Sequence, residues 1–306
     1  MEHLPVLLNE TVSALVHDAN GIYVDCTFGR GGHSREILTR LSQDGRLWVF
    51  DQDERAIEAA KHLAAEDSRV TVVDRNFKYA QSALADAEIC GRLSGLLADF
   101  GVSSPQLDDA MRGFSFRFDA PLDMRMDQRR PLTAAHVVAS AAESELADIF
   151  YHYGEERKSR RIAKAIVTAR AETPILTTLQ LADLVKSCLP RSKDGKHPAT
   201  RVFQALRIHV NQELEAVDSL LGQLSEILVP GGIAALISFH SLEDRRVKQF
   251  FRRPVEDAER RHLPQLGDQQ KWPWELQGKA VKAGREELSQ NPRASSAVLR
   301  VARFNP

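Results

Sequence analysis

Three acidic residues each close an apolar run, so that one strand edge could gather them. Asp25 follows Ile22-Tyr23-Val24, Asp51 follows Leu47-Trp48-Val49-Phe50, and Asp99 follows residues 93–98. Directly after Asp25 comes Cys26-Thr27-Phe28-Gly29-Arg30-Gly31-Gly32-His33, a glycine-dense turn. Glycine lacks a Cβ, tolerates positive φ and lets a ligand lie against the main chain. An apolar run, a glycine turn and then helical spacing at Ile37, Leu38 and Leu41 form the unit by which a parallel sheet approaches a nucleotide-like molecule. Asp51 stands about twenty residues past the first glycine, where a carboxylate accepts hydrogen bonds from ribose hydroxyls. The pattern G-x-G-x-x-G fails, because its last position, counted from Gly29, is Ser34. A pyrophosphate cradle is therefore disfavoured. A ligand with ribose and no pyrophosphate fits better, which points to S-adenosylmethionine (SAM). A tight turn with no ligand is the plainer reading, and the placement of Asp51 weighs against it.

The elements that must position these residues alternate. Residues 22–26, 47–50, 70–73 and 93–98 read as strands, with helices at 34–41, 54–65 and 79–87 between them. This alternation implies a parallel, doubly wound sheet whose strands deliver Asp25, Asp51, the Asn76-Phe77 turn and Asp99 to one edge. Past residue 112 no clear strand appears until about residue 200, and helical segments at 134–138, 143–153, 158–171 and 179–189 suggest an inserted all-α domain. The expected division is a core of residues 1–111 and 205–306 around an insertion of 112–204. Residues 194–198 read as an exposed turn. From Pro198 a single long helix is expected, with Phe203, Leu206, Val210, Leu214, Val217, Leu221, Leu224 and Leu228 as its apolar stripe. A fifth strand at 233–239 then presents His240, with Ser241 as N-cap and Asp244 as its box partner. Residues 297–302 read as the last strand, and the stretch around Lys271-Trp272-Pro273-Trp274 as irregular.

Bulk properties narrow the function class. A hydrophobic content of 43% over 306 residues supports a real core. No run is apolar enough to cross a bilayer, and Met1-Glu2-His3-Leu4-Pro5 lacks a signal peptide's features, so no membrane partner is expected. Three cysteines, Cys26, Cys90 and Cys188, form no CxxC pair. Neither a metal site nor a disulfide framework is suggested, and a cytoplasmic location fits. A net charge of -1 argues against a globally basic nucleic-acid binder. Two local basic segments remain candidates for phosphate contact: Arg157-Lys158-Ser159-Arg160-Arg161 with Lys164, and Arg245-Arg246-Val247-Lys248 with Arg252-Arg253. Solvated helix faces are the alternative for both.

Taken together, the motifs resemble those of the RsmH (MraW) family of small-subunit ribosomal RNA cytosine-N4 methyltransferases. The matching blocks are Asp25-Cys26-Thr27-Phe28-Gly29-Arg30-Gly31-Gly32-His33-Ser34, then Asp99-Phe100-Gly101-Val102-Ser103-Ser104-Pro105-Gln106-Leu107-Asp108, then Phe203-Gln204-Ala205-Leu206-Arg207-Ile208, and Ser238-Phe239-His240-Ser241-Leu242-Glu243-Asp244-Arg245. Asn291-Pro292-Arg293 and Leu299-Arg300 also match, and the blocks run in order from Leu7 to Arg303. The resemblance implies a class I SAM-dependent methyltransferase (Rossmann-like) fold. It implies methyl transfer from SAM to the exocyclic N4 of a cytidine in the decoding region of small-subunit (16S) ribosomal RNA, within the 30S subunit. Gly31, Gly32 and His33 should contact the methionine end of SAM, Asp51 the ribose, and Phe77 the adenine, with Asp99 and Gln106 completing the pocket. A homodimer is left open.

Methyl transfer from a sulfonium is an in-line displacement by an already activated donor. Alignment is the enzyme's main task and contributes on the order of 7–11 kcal/mol. The N4 lone pair of cytosine is delocalised, so acceptors for its hydrogens would help it attack. Many amino-methyltransferases place D/N/S-P-P-aromatic at this point, whereas this chain has Asp99-Phe100-Gly101-Val102, so no catalytic residue is assigned. Asp99 and His240 are candidates, and a structural role for His240 is the stronger alternative. Ser103 and Ser104 are read as bonding their own turn. The base must arrive unstacked, and Phe114, Phe116 and Phe118 with Arg112 and Arg117 are candidate stacking groups unless they form a half-buried strand. Arg201 and Arg207 are further candidates for phosphate contact. A nicotinamide dehydrogenase, a non-enzymatic RNA-binding assembly factor, and a methyltransferase acting on DNA or protein are the competing readings.

Overall fold

The computed structural model describes residues 5–189, 197–252 and 272–306. Two compact units divide the chain, one of residues 1–101 and 215–306 and one of residues 102–214.

The first unit opens with α1 (Leu8–Leu15), β1 (Ile22–Asp25), α2 (Gly32–Arg40), β2 (Arg46–Asp51), α3 (Glu54–Glu66), β3 (Val70–Asp74), α4 (Ala80–Asp86) and β4 (Leu93–Asp99). Helix α3 shows why such segments fold. Asp53 caps it by accepting from the Arg55 N–H, and Ala56, Ile57, Ala60 and Leu63 recur at three- and four-residue steps on its buried face.

The second unit carries α5 (Ser104–Asp108), α6 (Ala134–Ser140), α7 (Glu143–His152), α8 (Ser159–Glu172), α9 (Thr178–Cys188) and α10 (Thr200–Asn211). Helices α6 and α9 begin with capping boxes, Thr133 with His136 and Thr177 with Gln180. Phe150, Ile162, Ile166, Leu181, Phe203 and Leu206 are buried in one core, each worth roughly 1.5–3 kcal/mol by burial.

The chain returns through α11 (Glu213–Ile227), β5 (Leu228–Ser238), α12 (Ser241–Phe251), β6 (Trp274–Leu276), α13 (Arg285–Gln290) and β7 (Val298–Phe304). The sheet order is β3-β2-β1-β4-β5-β7-β6. Strands β1 to β5 pair in parallel, and β7 runs antiparallel to both β5 and β6. A parallel sheet flanked by helices, with one reversed strand near its edge, is the class I methyltransferase architecture. Neighbouring residues alternate between two cores. Tyr23, Val49, Leu97 and Ala235 face α1, α2 and α3, while Val24, Phe50, Leu96 and Ala234 face α4, α11 and α12.

Several expectations need correction. The helical unit extends beyond 112–204 at both ends, to 102–214, because Val102 and Leu107 on one side and Leu206 and Val210 on the other pack into the helical core. The single long helix is two. Gln212 adopts φ 54°, which breaks the chain between α10 and α11 and hands the two halves of the stripe to different cores. His240, not Ser241, caps α12, with Glu243 as its box partner. The stretch after Pro273 is not irregular, since Trp274–Leu276 pairs with β7 and the Trp274 ring lies 5.1 Å from that of Phe304. Phe114, Phe116 and Phe118 lie on irregular chain. Phe114 is buried, Phe116 packs on Phe203 at 4.8 Å, and Phe118 is 66% exposed.

Candidate active site

The tips of β1, β2 and β4 are tied together by their own polar groups. Asp25 accepts from the Thr27 N–H at 3.0 Å with one carboxylate oxygen and from the Ser34 hydroxyl at 2.6 Å with the other. This buried carboxylate therefore latches the glycine turn to the start of α2. The Thr27 hydroxyl in turn accepts from the Asp99 N–H at 2.7 Å, and the Phe28 N–H donates to the Phe50 carbonyl at 3.0 Å. Asp25 was expected at this edge as the end of the first apolar run but given no role there, and Thr27 was not among the expected site residues. Their signal was the short polar pair flanking Cys26 at a strand end, a spacing suited to side chains that bond nearby backbone.

Asp51 sits half-buried at the tip of β2. Its Oδ2 accepts from the Gly29 N–H at 2.8 Å, and its Oδ1 from the N–H groups of Gln52 at 2.8 Å and Asp53 at 2.9 Å. These donors fix the carboxylate's orientation. Burial pushes its pKa from 3.8 to about 6, with the Asp53 charge adding to the rise and the backbone donors opposing it. Gly29 has φ +55°, and a Cβ there would meet nothing nearer than the Thr27 carbonyl at 3.9 Å. Open space thus lies beside a carboxylate that offers its lone pairs to a diol.

The other two glycines carry a structural constraint as well. Gly31 has φ +75° and is buried, and a Cβ there would come within 2.6 Å of the Phe28 ring. A Cβ on Gly32 would lie 2.2 Å from Pro5. The α2 N-terminus is packed too closely on both sides for any larger residue.

Phe77 follows the β3 tip, half-buried, with its ring 5.8 Å from that of Phe100. Beside it Asn76 donates from Nδ2 to Gln52 Oε1 at 2.9 Å, which joins the loops after β2 and β3. An apolar ring next to an amide pair suits a purine.

His33 and Asp99 face each other. His33 is buried, its Nε2 is 3.0 Å from the Val6 carbonyl, and its Nδ1 is 4.0 Å from Asp99 Oδ2. Asp99 Oδ1 is sealed from solvent and has no hydrogen-bond partner among the described residues. Burial, then the charges of Asp25 and Glu243, push the Asp99 carboxyl well above the usual carboxylate range. Asp25 is raised by burial, against its hydrogen bonds and the His33 charge. Burial also pushes the Cys26 thiol well up, which leaves it an inert packing group.

Among the expected residues, Gly31, Gly32, His33, Asp51, Phe77 and Asp99 therefore all lie on the loops and strand tips at one edge of the sheet unit. Gln106 belongs to the helical unit, where it is buried and its Oε1 accepts from the Ser103 N–H at 2.9 Å in the capping box of α5. His240 is used as a cap, its Nδ1 accepting from the Glu243 N–H at 3.4 Å, while Glu243 Oε2 accepts from the Phe239 N–H.

The basic segments differ in availability. Arg157, Lys158, Arg160, Arg161 and Lys164 are all exposed, on and just before the face of α8 opposite Ile162, Ala163 and Ile166. Arg207 is committed instead to a bidentate pair with Glu213, both contacts at 2.8 Å, so it is a bracket of the helical unit. Arg201 is exposed, with Glu156 at 4.0 Å. Arg245, Lys248 and Arg252 are exposed and Arg246 bonds Asp218, while Arg253 and residues 194–196 lie outside the described residues.

Comparison with known proteins follows the same lines. A protein of Neisseria meningitidis serogroup B named ribosomal RNA small subunit methyltransferase H is 52% identical over 305 residues, 98% of this chain and 92% of that one. Its namesake in Chromobacterium violaceum is 51% identical over 98% of this chain and 94% of that one. That of Alcanivorax borkumensis is 52% identical, covering 98% and 96%. A family model described as the MraW methylase family matches residues 1–305. With half of its residues shared across nearly its whole length, and the family pattern running from one end to the other, this chain belongs to the MraW methylase family.

Proposed function

We infer that this protein transfers a methyl group from SAM to the exocyclic N4 of a cytidine in the decoding region of small-subunit ribosomal RNA. The observation that carries the reading is Asp51, a carboxylate aimed by the Gly29 N–H at the open side of a glycine turn, in a chain of the MraW methylase family. The residues at the sheet edge fit the donor. Asp51 would hold its ribose hydroxyls, Phe77 would flank its adenine, and Gly31, Gly32 and His33 would lie along its methionine end. When bound, SAM supplies a methyl group on a positively charged sulfur. The chain's own task is to align the acceptor nitrogen with that methyl and to exclude water.

The helical unit is the substrate-recognition part of this reading, and the 30S subunit in the cytoplasm is where it acts. No helix among the described residues is long and apolar enough to cross a membrane. The basic face of α8 supplies phosphate contacts, and the exposed Phe118 a ring on which a base can stack. Incubation with methyl-labelled SAM and unmodified small subunits, followed by mass spectrometry of nucleolytic fragments, tests the whole. Label on a single cytidine N4 is expected, and label on ribosomal protein, on another position of the RNA, or on nothing would sink it.

The RNA face has its own test. Arg160→Ala with Arg161→Ala removes two exposed charges and no buried group. Methylation at low subunit concentration should fall about tenfold, and the salt slope of RNA binding should drop by about 1.5. SAM affinity by calorimetry should not move. Parallel loss of both, or loss of neither, would place RNA elsewhere.

A further inference from the structure

Within the helical unit, α7 and α8 meet at a corner of residues 153–158. The corner is tightly built. A Cβ on Gly154 would lie 2.6 Å from the Arg201 carbonyl oxygen and 2.8 Å from that of Phe150. Glu155 takes φ 50°, a left-handed conformation that a non-glycine residue keeps only where its surroundings hold it. They do so here. The Glu156 N–H donates to the Phe150 carbonyl at 3.1 Å, and the buried Glu156 carboxylate accepts from the Lys158 N–H at 2.8 Å. Gln204 on α10 donates from Nε2 to the Tyr153 carbonyl at 3.1 Å.

Two kinds of group flank this rigid corner. On one side stands Tyr151, in the last turn of α7 and 56% exposed. Its only ring neighbour among the described residues is His152, at 5.1 Å and 86°, so at least one face of the phenol is open. On the other side the charge changes sign. Residues 143–156 carry five acids and no Lys or Arg, whereas residues 157–171 carry six basic side chains and no acid. Arg157, Lys158, Arg160, Arg161 and Lys164 are exposed, and none of their side chains has an ion-pair or hydrogen-bond partner among the described residues. A polyanion is therefore repelled from α7 and drawn along α8, with an uncovered ring at the boundary.

We propose, resting on the reading above that the substrate is ribosomal RNA, that this corner takes an unpaired stretch of that RNA, with one base stacked on Tyr151 and the adjoining phosphates on Arg157, Arg160, Arg161 and Lys164. A ring face recognises a base only when the base is out of its pair, whereas cations alone accept a duplex as readily as a single strand. None of these residues belongs to the sheet unit that carries the SAM residues. The corner governs how tightly RNA is held.

Fluorescence anisotropy of the full chain with a labelled ten-nucleotide RNA, single-stranded or annealed to its complement, tests this. The single strand should bind more tightly than the duplex. Tyr151→Ala should weaken single-strand binding about five- to 150-fold, the worth of one stacked base, and leave duplex binding where it was. Tyr151→Phe keeps the ring and should restore most of the affinity. Salt separates the two kinds of contact. The slope of affinity against salt should hold in Tyr151→Ala and fall by about 0.7 for each cation removed, as in Arg157→Ala or Lys164→Ala. A single strand bound no better than the duplex, or bound alike with and without the Tyr151 ring, would overturn the inference. Methylation of small subunits by the unsubstituted protein would in that case leave the functional reading standing. Absence of that methylation would overturn the functional reading and the inference with it. Tyr151 is exposed, so its alanine variant leaves the core intact and the comparison can be made.

Discussion

Replacing Asp51 with alanine should weaken binding of S-adenosylhomocysteine (SAH), which has the same ribose and adenine as SAM, about a hundredfold or more, as read by calorimetry. The side chain stands at the β2 tip with its carboxylate already oriented by three backbone N–H groups. A ribose diol meeting it gains charge-assisted hydrogen bonds, each worth roughly 1.5–3 kcal/mol, with no cost of ordering the acceptor. Asp51→Asn keeps part of the structural role and loses the binding one. The amide oxygen can still accept from the Gln52 and Asp53 N–H groups, whereas its NH2 then faces the Gly29 N–H and a hydroxyl that must donate. Asparagine should therefore lower the thermal midpoint less than alanine does and still lose most of the affinity. Unchanged affinity in both variants would remove the ribose from this strand tip.

The same carboxylate sets a pH dependence whose sign is fixed by its raised pKa of about 6. A group that ionises later in the folded chain than in the unfolded one binds the extra proton in the native state. It favours the empty fold most below about pH 4, and that contribution fades as pH rises through 6. Hydroxyl donors favour the ionised form, so ligand binding draws the proton off. SAH affinity should be level above pH 7 and fall by up to about tenfold per unit below 6, and Asp51→Asn should flatten that limb.

Much of this site was legible because its chemistry is tied to periodic elements. Apolar runs alternating with helical segments implied the parallel sheet, and β1, β2 and β4 end at Asp25, Asp51 and Asp99. What the sequence hid was the assignment of side chains that serve the backbone. Gly31 and Gly32 were read as room for a ligand, and Phe28 and Pro5 fill part of that room. Gln106 was expected in the pocket, and its amide is also needed by Ser103. His240 was a candidate with a structural role as the stronger alternative, and it caps a helix together with Glu243, which had not been singled out. The break at Gln212 was invisible for a different reason. The apolar stripe continues across it without a missed step, and no glycine or proline marks the place. Only tertiary packing, which gives Phe203 and Leu206 one core and Val217 and Leu221 another, demands the kink.

Asn211, one residue before that kink, should be the most sensitive polar position of the helical unit. It is buried, its Oδ1 accepts from the Met126 N–H at 2.7 Å, and its Nδ2 donates to the carbonyls of Met124 at 2.7 Å and Arg207 at 2.8 Å. One amide thereby pins the irregular chain around Met124, where φ is +63°, to the end of α10. Asn211→Leu keeps the branching and the number of heavy atoms and strips all three bonds. At 1–3 kcal/mol for each buried group left without its partner, the loss should be about 3 kcal/mol or more by urea denaturation, with new protease cleavage within residues 102–214. Asn211→Asp is the sharper probe. It still offers an oxygen to the Met126 N–H, yet sets a second, negatively charged oxygen against two carbonyls that can only accept. If the bonds act as drawn, aspartate must destabilise more than leucine despite being the closer isostere. The penalty should shrink as pH falls and the carboxyl regains a hydrogen. Were aspartate at neutral pH as well tolerated as asparagine, the amide would have no part in holding this junction.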